Sequence, residues 1–135
     1  MTAADDIDPA EAQRRAEAAI RSAAATALGV PLEPRTMALP GGATADVDGV
    51  DAAQTVFAEL FARRGRLKGP QLDKVARDAL KLTTLARAYA HPAPPRLVIA
   101  FADEAAAASV TGGSWLAEAL RTWGIEVLVV DAGPA

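Results

Sequence analysis

Two apolar segments in the C-terminal part of the chain constrain the fold most. Residues 97–102 form an uninterrupted apolar run, which is typical of a strand covered on both faces, and residues 125–130 form a second strand candidate. Between them, Gly112 and Gly113 precede a helical segment that ends at Gly124. Because parallel neighbouring strands need a crossover of this kind, the pattern predicts a βαβ unit and an α/β fold.

The N-terminal part adds one helix and three strands. Asp8 followed by Pro9 is a helix start, since aspartate caps a helix and proline suits its first position, and Gly29 ends the helix. The complete order predicts one α/β domain over residues 1–135, with an αβββαβαβ core, a mixed sheet of about five strands, and helices on both faces. The three strands, expected to form an antiparallel meander, are 35–39, 43–50 and 55–62, and the second helix is 71–89.

Composition excludes several kinds of site. The chain has 135 residues, no cysteine and a formal net charge of −3. Disulfides, thiolate metal sites and a cysteine nucleophile are therefore excluded, and binding to nucleic acid by bulk positive charge is not expected. Residues 1–7 lack the charged and apolar regions of a signal peptide, and no apolar run is long enough to cross a membrane. We therefore expect a cytoplasmic protein.

Two of the predicted strands carry an acid where an apolar residue is expected. Asp48 lies in the second strand and Glu59 lies in the third. Side chains alternate along a strand, so Asp46 and Asp48 share one face, and Phe57, Glu59 and Phe61 share another. A buried carboxylate is costly unless its charge is compensated. A hairpin that brings Asp48 and Glu59 together would allow both to bind one hard cation.

Positive charge follows the third strand. Arg64, Arg66 and Lys68 lie in the next loop, and Gln71 and Lys74 lie at the start of the next helix. Such side chains contact phosphates in nucleic-acid-binding proteins, and they are equally typical of a solvated loop and helix face. The sequence leaves both interpretations open.

The element order and the two acids resemble the PD-(D/E)XK nuclease-like superfamily, which includes restriction endonucleases and Holliday-junction resolvases. Its shared αβββαβ core has a metal-binding aspartate in the second strand and an acid-x-Lys motif in the third. The resemblance covers roughly residues 8–130 and places Asp48 and Glu59 at the two acid positions. It implies a restriction-endonuclease-like fold in which both acids hold Mg²⁺ and act in phosphodiester hydrolysis on nucleic acid.

The chain departs from that family where the motif has lysine, because Phe61 stands there. The resemblance extends to members that take the lysine from a neighbouring position, and it implies Lys74 as the catalytic substitute, with Lys68 second. It also implies Glu17 as an outer acid. Because phosphate contacts carry no sequence information, a homodimer or a separate recognition subunit is implied as well. The residues implied to position the nucleic-acid backbone are Arg64, Arg66, Lys68 and Gln71.

Other interpretations of the same residues stay open. In one interpretation, the aspartates within 46–51 are ordinary turn or edge residues. In the same interpretation, Glu59 forms a buried ion pair with Lys74 or Lys81. The chain would then be a non-catalytic module of the same fold that serves in assembly. Another interpretation is a small α/β domain that binds an anion at the helix start near Ser114, where the alternative role of the serine is an N-cap.

The two tryptophans lie on the last predicted helix. Trp115 and Trp123 are eight positions apart, which is about 80° around a helix axis. We expect Trp123 in the core and Trp115 at an edge or a subunit contact.

Overall fold

The computed structural model describes residues 8–133. Residues 1–7, in which no signal peptide is expected, lie outside the described residues, as do the last two positions of the tail predicted over 131–135. The helices are α1 (Pro9–Leu28), α2 (Gly69–Ala88), α3 (Glu104–Ala108) and α4 (Trp115–Thr122). The strands are β1 (Glu33–Ala38), β2 (Thr44–Val50), β3 (Val56–Phe61), β4 (Arg96–Phe101) and β5 (Ile125–Val129).

The strands form one mixed sheet in the order β1-β2-β3-β4-β5. The first three strands pair antiparallel, whereas β3, β4 and β5 run parallel. This confirms the predicted α/β class, the meander and the parallel pair at the end. The short helix α3 was not predicted, because five residues are too few to show a helical period.

Helices cover both faces of the sheet, as predicted. On one face, Ile20 and Ala24 of α1 pack against Ala58 of β3 and Val98 of β4. On the other face, α2, α3 and α4 enclose the larger part of the core around Phe57 of β3. None of the helices in the described part of the chain is long and apolar enough to cross a membrane.

A β-bulge in β2 lies at the position of the predicted aspartate. Glu33 pairs with Val50 and Arg35 pairs with Val47, so two residues of β2 lie opposite Pro34 alone. Such a bulge bends the strand and re-aims its side chains. The two residues that share this position are Asp48 and Gly49.

The prediction that Trp123 lies in the core is wrong. Trp123 is 65% exposed, and Trp115 is 76% exposed. The buried side of α4 is formed by Leu116, Ala117 and Leu120. Trp123 is the C-cap residue, one position beyond the helix, so the helical period no longer determines where its side chain points.

Candidate functional site: an acid pair beside a basic cleft

The two predicted acids meet where β2 and β3 separate. The strands pair at Gly49–Ala58 and Val50–Phe57 and at no earlier position of β2. Beyond the last pair, the Leu60 N–H donates to Oδ2 of Asp48 at 3.0 Å, and the Asp48 N–H donates to Oε2 of Glu59 at 3.2 Å. The carboxylates thus accept hydrogen bonds that backbone carbonyls accept in a continuous ladder.

Asp48 and Glu59 approach this gap from different sides of the sheet. Asp48 lines a cleft beside α1, and Nε of Arg21 on α1 donates to its carbonyl oxygen at 2.7 Å. Glu59 shares the face of Phe57 and Phe61, as predicted, and points towards α2. Because the strands diverge, the backbone N–H of Asp48 still reaches Oε2 of Glu59.

Glu59 is buried and ion-paired. It is 1% exposed, and the ammonium of Lys81 donates to its Oε1. The same ammonium donates to the carbonyl oxygen of Asp46 at 2.8 Å and lies 4.0 Å from Oδ1 of Asp78. This confirms the interpretation of Glu59 as a buried ion pair and identifies Lys81, rather than Lys74, as its partner.

The surroundings of Glu59 favour its neutral form. Burial, a hydrogen bond to the Asp48 carboxyl and the negative charge of Asp48 raise the pKa of Glu59 to about 8, although Lys81 acts in the opposite direction. Partial burial lowers the pKa of Lys81, but the carboxylates around it outweigh burial and raise it overall.

Lys74 faces the cleft but makes its ion pair elsewhere. Its Nζ donates to Oδ2 of Asp78 at 3.0 Å and lies 4.5 Å from the centre of the Phe61 ring. The ring is buried and packs on Phe101 with centroids 5.2 Å apart. Phe61 therefore belongs to the core, and Lys74 extends over its outer side towards the cleft.

The cleft is a wide concave surface beside α1. It has a volume of about 1140 Å³ and is formed by α1, the end of β3 and the start of α2. Four cations against two acids make its lining basic, although the whole chain is acidic. The charged side chains that line it are Arg15, Arg63, Arg64, Lys74, Glu17 and Asp48.

The cleft gathers most of the residues predicted for the site. Arg64 and Gln71 line it together with Lys74, as does the outer-acid candidate Glu17, whereas Glu59 is reached only through Asp48. Arg66 and Lys68 are exposed but lie outside the lining. Arg63, the first residue of the basic loop whose cations could contact phosphates, also lines the cleft, and the residues that the sequence did not indicate are Arg15 and Gln13.

Two of the cleft residues also hold the local backbone. Nη2 of Arg64 donates to the carbonyl oxygen of Gly133 at 2.6 Å, and Oε1 of Gln71 accepts from the Lys68 N–H at 2.9 Å. The first bond fixes the loop after β3 to the C-terminal segment. The second closes the start of α2, which is a capping role. These side chains are therefore already oriented before any ligand binds.

Two other candidate residues have structural roles. Asp51 accepts hydrogen bonds from the N–H groups of Thr55 and Val56 at 2.7 and 2.9 Å, which confirms its interpretation as a turn residue. Oγ of Ser114 accepts from the Ala117 N–H at 3.1 Å, so the serine is an N-cap of α4. This bond supports the capping interpretation of Ser114 over anion binding.

Carboxylates are suitable ligands for a divalent cation, but too few of the oxygens of Asp48 and Glu59 are available to bind one. Mg²⁺ binds through one or two carboxylates and keeps several waters. Both oxygens of Glu59 and Oδ2 of Asp48 already accept hydrogen bonds from protein groups. In the part of the chain that the structure covers, no group of three or more acids or histidines is placed to hold a metal. A cation would fit only where Lys81 leaves Glu59.

Comparison with known proteins adds no further restraint on function. No family model matches the chain, and neither a curated protein nor a solved structure matches it. We therefore infer the function from the geometry of the cleft and the acid pair.

Proposed function

We propose that the chain is a nuclease-like domain that binds a nucleic-acid backbone in the cleft and hydrolyses a phosphodiester bond beside the Asp48–Glu59 pair. The observation that carries this proposal is the position of Asp48, which contacts Glu59 and also lines the cleft. A basic lining suits a polyanionic backbone, and Asp48 in that lining connects it to the buried Glu59 carboxyl.

Each cleft residue has a role in this proposal. Asp48 and Glu59 would hold Mg²⁺ only with Lys81 displaced from Glu59, and the ion would then supply polarisation of a phosphoryl oxygen. Lys74 would bind the phosphate, since its side chain lines the cleft. Arg64 and Gln71 would orient the backbone. Two exposed residues of the adjoining loop would contact nucleic acid outside the cleft, namely Arg66 and Lys68.

A second candidate is a non-catalytic domain of the same fold. Two observations favour it: Lys81 neutralises Glu59 within the chain, and Phe61 occupies the motif's lysine position as part of the core. In this candidate the cleft would still bind a backbone, and the acid–lysine pair would serve stability alone.

Either candidate needs further contacts for specificity. Backbone contacts position a protein on nucleic acid without reading its sequence. We propose that a homodimer or a separate recognition subunit supplies the remaining contacts. Trp115 and Trp123 support this, since tryptophan is enriched among the residues that dominate protein interfaces, and both are exposed on one helix.

The experiment is a cleavage and binding assay with single-stranded and duplex DNA and RNA, in Mg²⁺, Mn²⁺ and EDTA. We expect cation-dependent cleavage by the wild type that Asp48→Asn and Glu59→Gln abolish. Asp46→Asn is the matched control, because Asp46 lies on the same strand, is exposed and bonds to Thr36. Binding without cleavage would favour the non-catalytic candidate, and absence of both would contradict the cleft as a nucleic-acid site.

A further inference from the structure

The two edges of the sheet are protected to different degrees. On the β1 edge, Pro34 lacks an N–H, Glu33 and Arg35 are charged, and a bulge in β2 interrupts the pairing. Such features keep an edge strand from pairing with another chain. On the β5 edge the register is continuous, and the single charge, Glu126, already forms a bidentate pair with Arg96. Of the two edges, the β5 edge is therefore the one that can extend the sheet.

Half of the backbone groups of β5 point away from β4. The Val130 N–H donates to the carbonyl oxygen of Phe101 on β4 at 2.9 Å. Successive residues of a strand direct their N–H and C=O groups to opposite sides, so those of Ile125, Val127 and Val129 point outward. Within residues 8–133, no strand or loop pairs with these outward groups. They form an open row of donors and acceptors along the edge.

A second β5 strand, running antiparallel, would use every one of these groups. With Val127 opposite Val127 of the second copy, Ile125 lies opposite Val129 of that copy. Opposed residues whose groups point towards each other exchange two hydrogen bonds. A shift of this register by two residues leaves outward groups at the strand ends without partners. The outward groups thus select one register, which is centred on a two-fold axis at Val127.

The same rotation brings together the exposed apolar side chains at the two ends of β5. Trp123 lies two residues before the strand and is 65% exposed, and Val129 is its last residue and is 42% exposed. Antiparallel pairing places the start of one strand beside the end of the other. Val129 shares the face of Val127, which packs on the core that α4 covers. Trp123 of each copy would therefore lie beside Val129 of the other.

The helix above this edge is self-complementary in the same way. α4 packs on β5 and runs antiparallel to it, as the helix of a crossover does. The two-fold axis therefore places the Trp115 end of one α4 towards the Trp123 end of the other. Glu118 and Arg121 lie between these ends and form an exposed pair at 3.6 Å. The rotation brings Glu118 of each copy towards Arg121 of the other, so opposite charges meet.

We propose that the β5 edge is a docking surface for a second copy of this chain, so that two five-stranded sheets join through antiparallel β5 strands. A second copy fits the edge because one rotation pairs the outward backbone groups, the apolar ends and the charges of α4, as an isologous interface requires. The proposal develops the homodimer considered above. It depends on the strand edge alone and stands whether or not the cleft binds nucleic acid.

The experiment is sedimentation equilibrium of the full chain over a range of concentrations, without nucleic acid. We expect a monomer–dimer equilibrium for the wild type. Val129→Lys places a charge beside Trp123 of the second copy and should raise the dissociation constant of the dimer by about tenfold or more. Leu80→Lys is the matched control and should leave the constant unchanged. Leu80 is 69% exposed and lies beside Leu39, near the opposite edge of the sheet.

Two further substitutions separate backbone pairing from side-chain contact. Val129→Pro removes an outward N–H without removing a hydrogen bond to β4, whereas Val129→Ala shortens the side chain alone. We expect Val129→Pro to weaken the dimer more than Val129→Ala does, with circular dichroism showing the wild-type fold for both. Equal dissociation constants for the two variants would overturn pairing through the strand backbone.

Two other results would overturn the docking surface itself. One is a dimer that Val129→Lys leaves unchanged, which would place the contact on another surface. The other is a wild type that stays monomeric at every concentration, which would leave the β5 edge to an extended segment of a different protein. Neither result bears on cleavage, so the proposed function is tested separately by the assay with nucleic acid.

Discussion

Lys81 pairs with Glu59 across the contact between α2 and β3, with the carboxylate 1% exposed and the lysine side chain 31% exposed. The pair joins the central strand to the helix that covers it. It also gives the buried acid a counter-charge inside the chain. The pair therefore matters for stability whether or not the acid also binds a cation.

Removal of Lys81 should cost far more stability than removal of a surface cation. Lys81→Ala leaves the buried carboxyl of Glu59 without its hydrogen-bond donor, and we expect the free energy of unfolding to fall by about 2 kcal/mol. Arg96→Ala is the control, since Arg96 forms an exposed bidentate pair with Glu126 worth about 0.5 kcal/mol. Urea denaturation measures both changes, and equal losses would contradict the buried pair as a major contributor.

Stability should fall between pH 4.5 and about 8 because of Glu59. Its pKa rises from 4.5 in the unfolded chain to about 8 in the fold, so folding favours the protonated acid. This contribution is fully present below pH 4.5 and is lost as pH rises through about 8, with a slope of up to about 1.4 kcal/mol per pH unit. Lys81, whose pKa is raised above 10.5, contributes a change only at higher pH.

Glu59→Gln provides the comparison for this pH dependence. The amide keeps the shape of the side chain but cannot titrate, so its unfolding free energy should change less with pH over the same interval. The measurement is chemical denaturation of both proteins at several pH values within that interval. The same slope in both proteins would show that other groups cause the dependence.

Placing lysine at position 61 should destabilise the fold rather than restore a nuclease motif. Phe61 packs on Phe101 in the core, and a lysine there would bury a charge beside Lys74. We expect Phe61→Lys to lower the free energy of unfolding by about 3 kcal/mol or more and Phe61→Leu to lower it by about 1 kcal/mol. A stable Phe61→Lys variant that gains cleavage activity would contradict this assignment of the ring to the core.

The exposed tryptophans provide a fluorescence test of self-association through α4. Both indoles are exposed in the single chain, so we expect acrylamide to quench them efficiently in dilute solution. If α4 forms the homodimer contact, quenching should weaken at concentrations where light scattering detects a dimer. Trp115→Phe and Trp123→Phe each leave one reporter and show which side chain becomes covered. A dimer with unchanged quenching would place the contact elsewhere.

Local signals were sufficient for every described element of the fold except the short helix α3. Asp8 caps α1 through the Glu11 N–H at 2.8 Å, and Gly29 ends the helix with a left-handed φ of 76°. The apolar run that became β4 is covered on both faces, as such runs predict. The prediction that Trp123 is buried was wrong because Trp123 lies one residue past the end of α4, where the helical period no longer applies.

The sequence could not determine whether Lys74 or Lys81 pairs with Glu59. The two residues are seven positions apart, which is about two turns, so they lie on nearly the same stripe of α2. A helical pattern determines the direction of a side chain around the axis but not its height above the sheet. Only the packing of α2 on β3 places Lys81 at Glu59 and Lys74 at the cleft.

Apart from the short helix α3, the sequence by itself determined the order and type of the elements, the positions of the two acids and the face of β3 that carries Glu59, because these follow from local patterns of caps, turns and alternation. Only the tertiary structure decided that Asp48 reaches Glu59 and that Lys81 covers it. The first result depends on the bulge in β2 and the separation of β2 from β3, and the second depends on the packing of α2 against β3. Such features arise from contacts between residues that are distant in the chain, and short-range patterns do not record them.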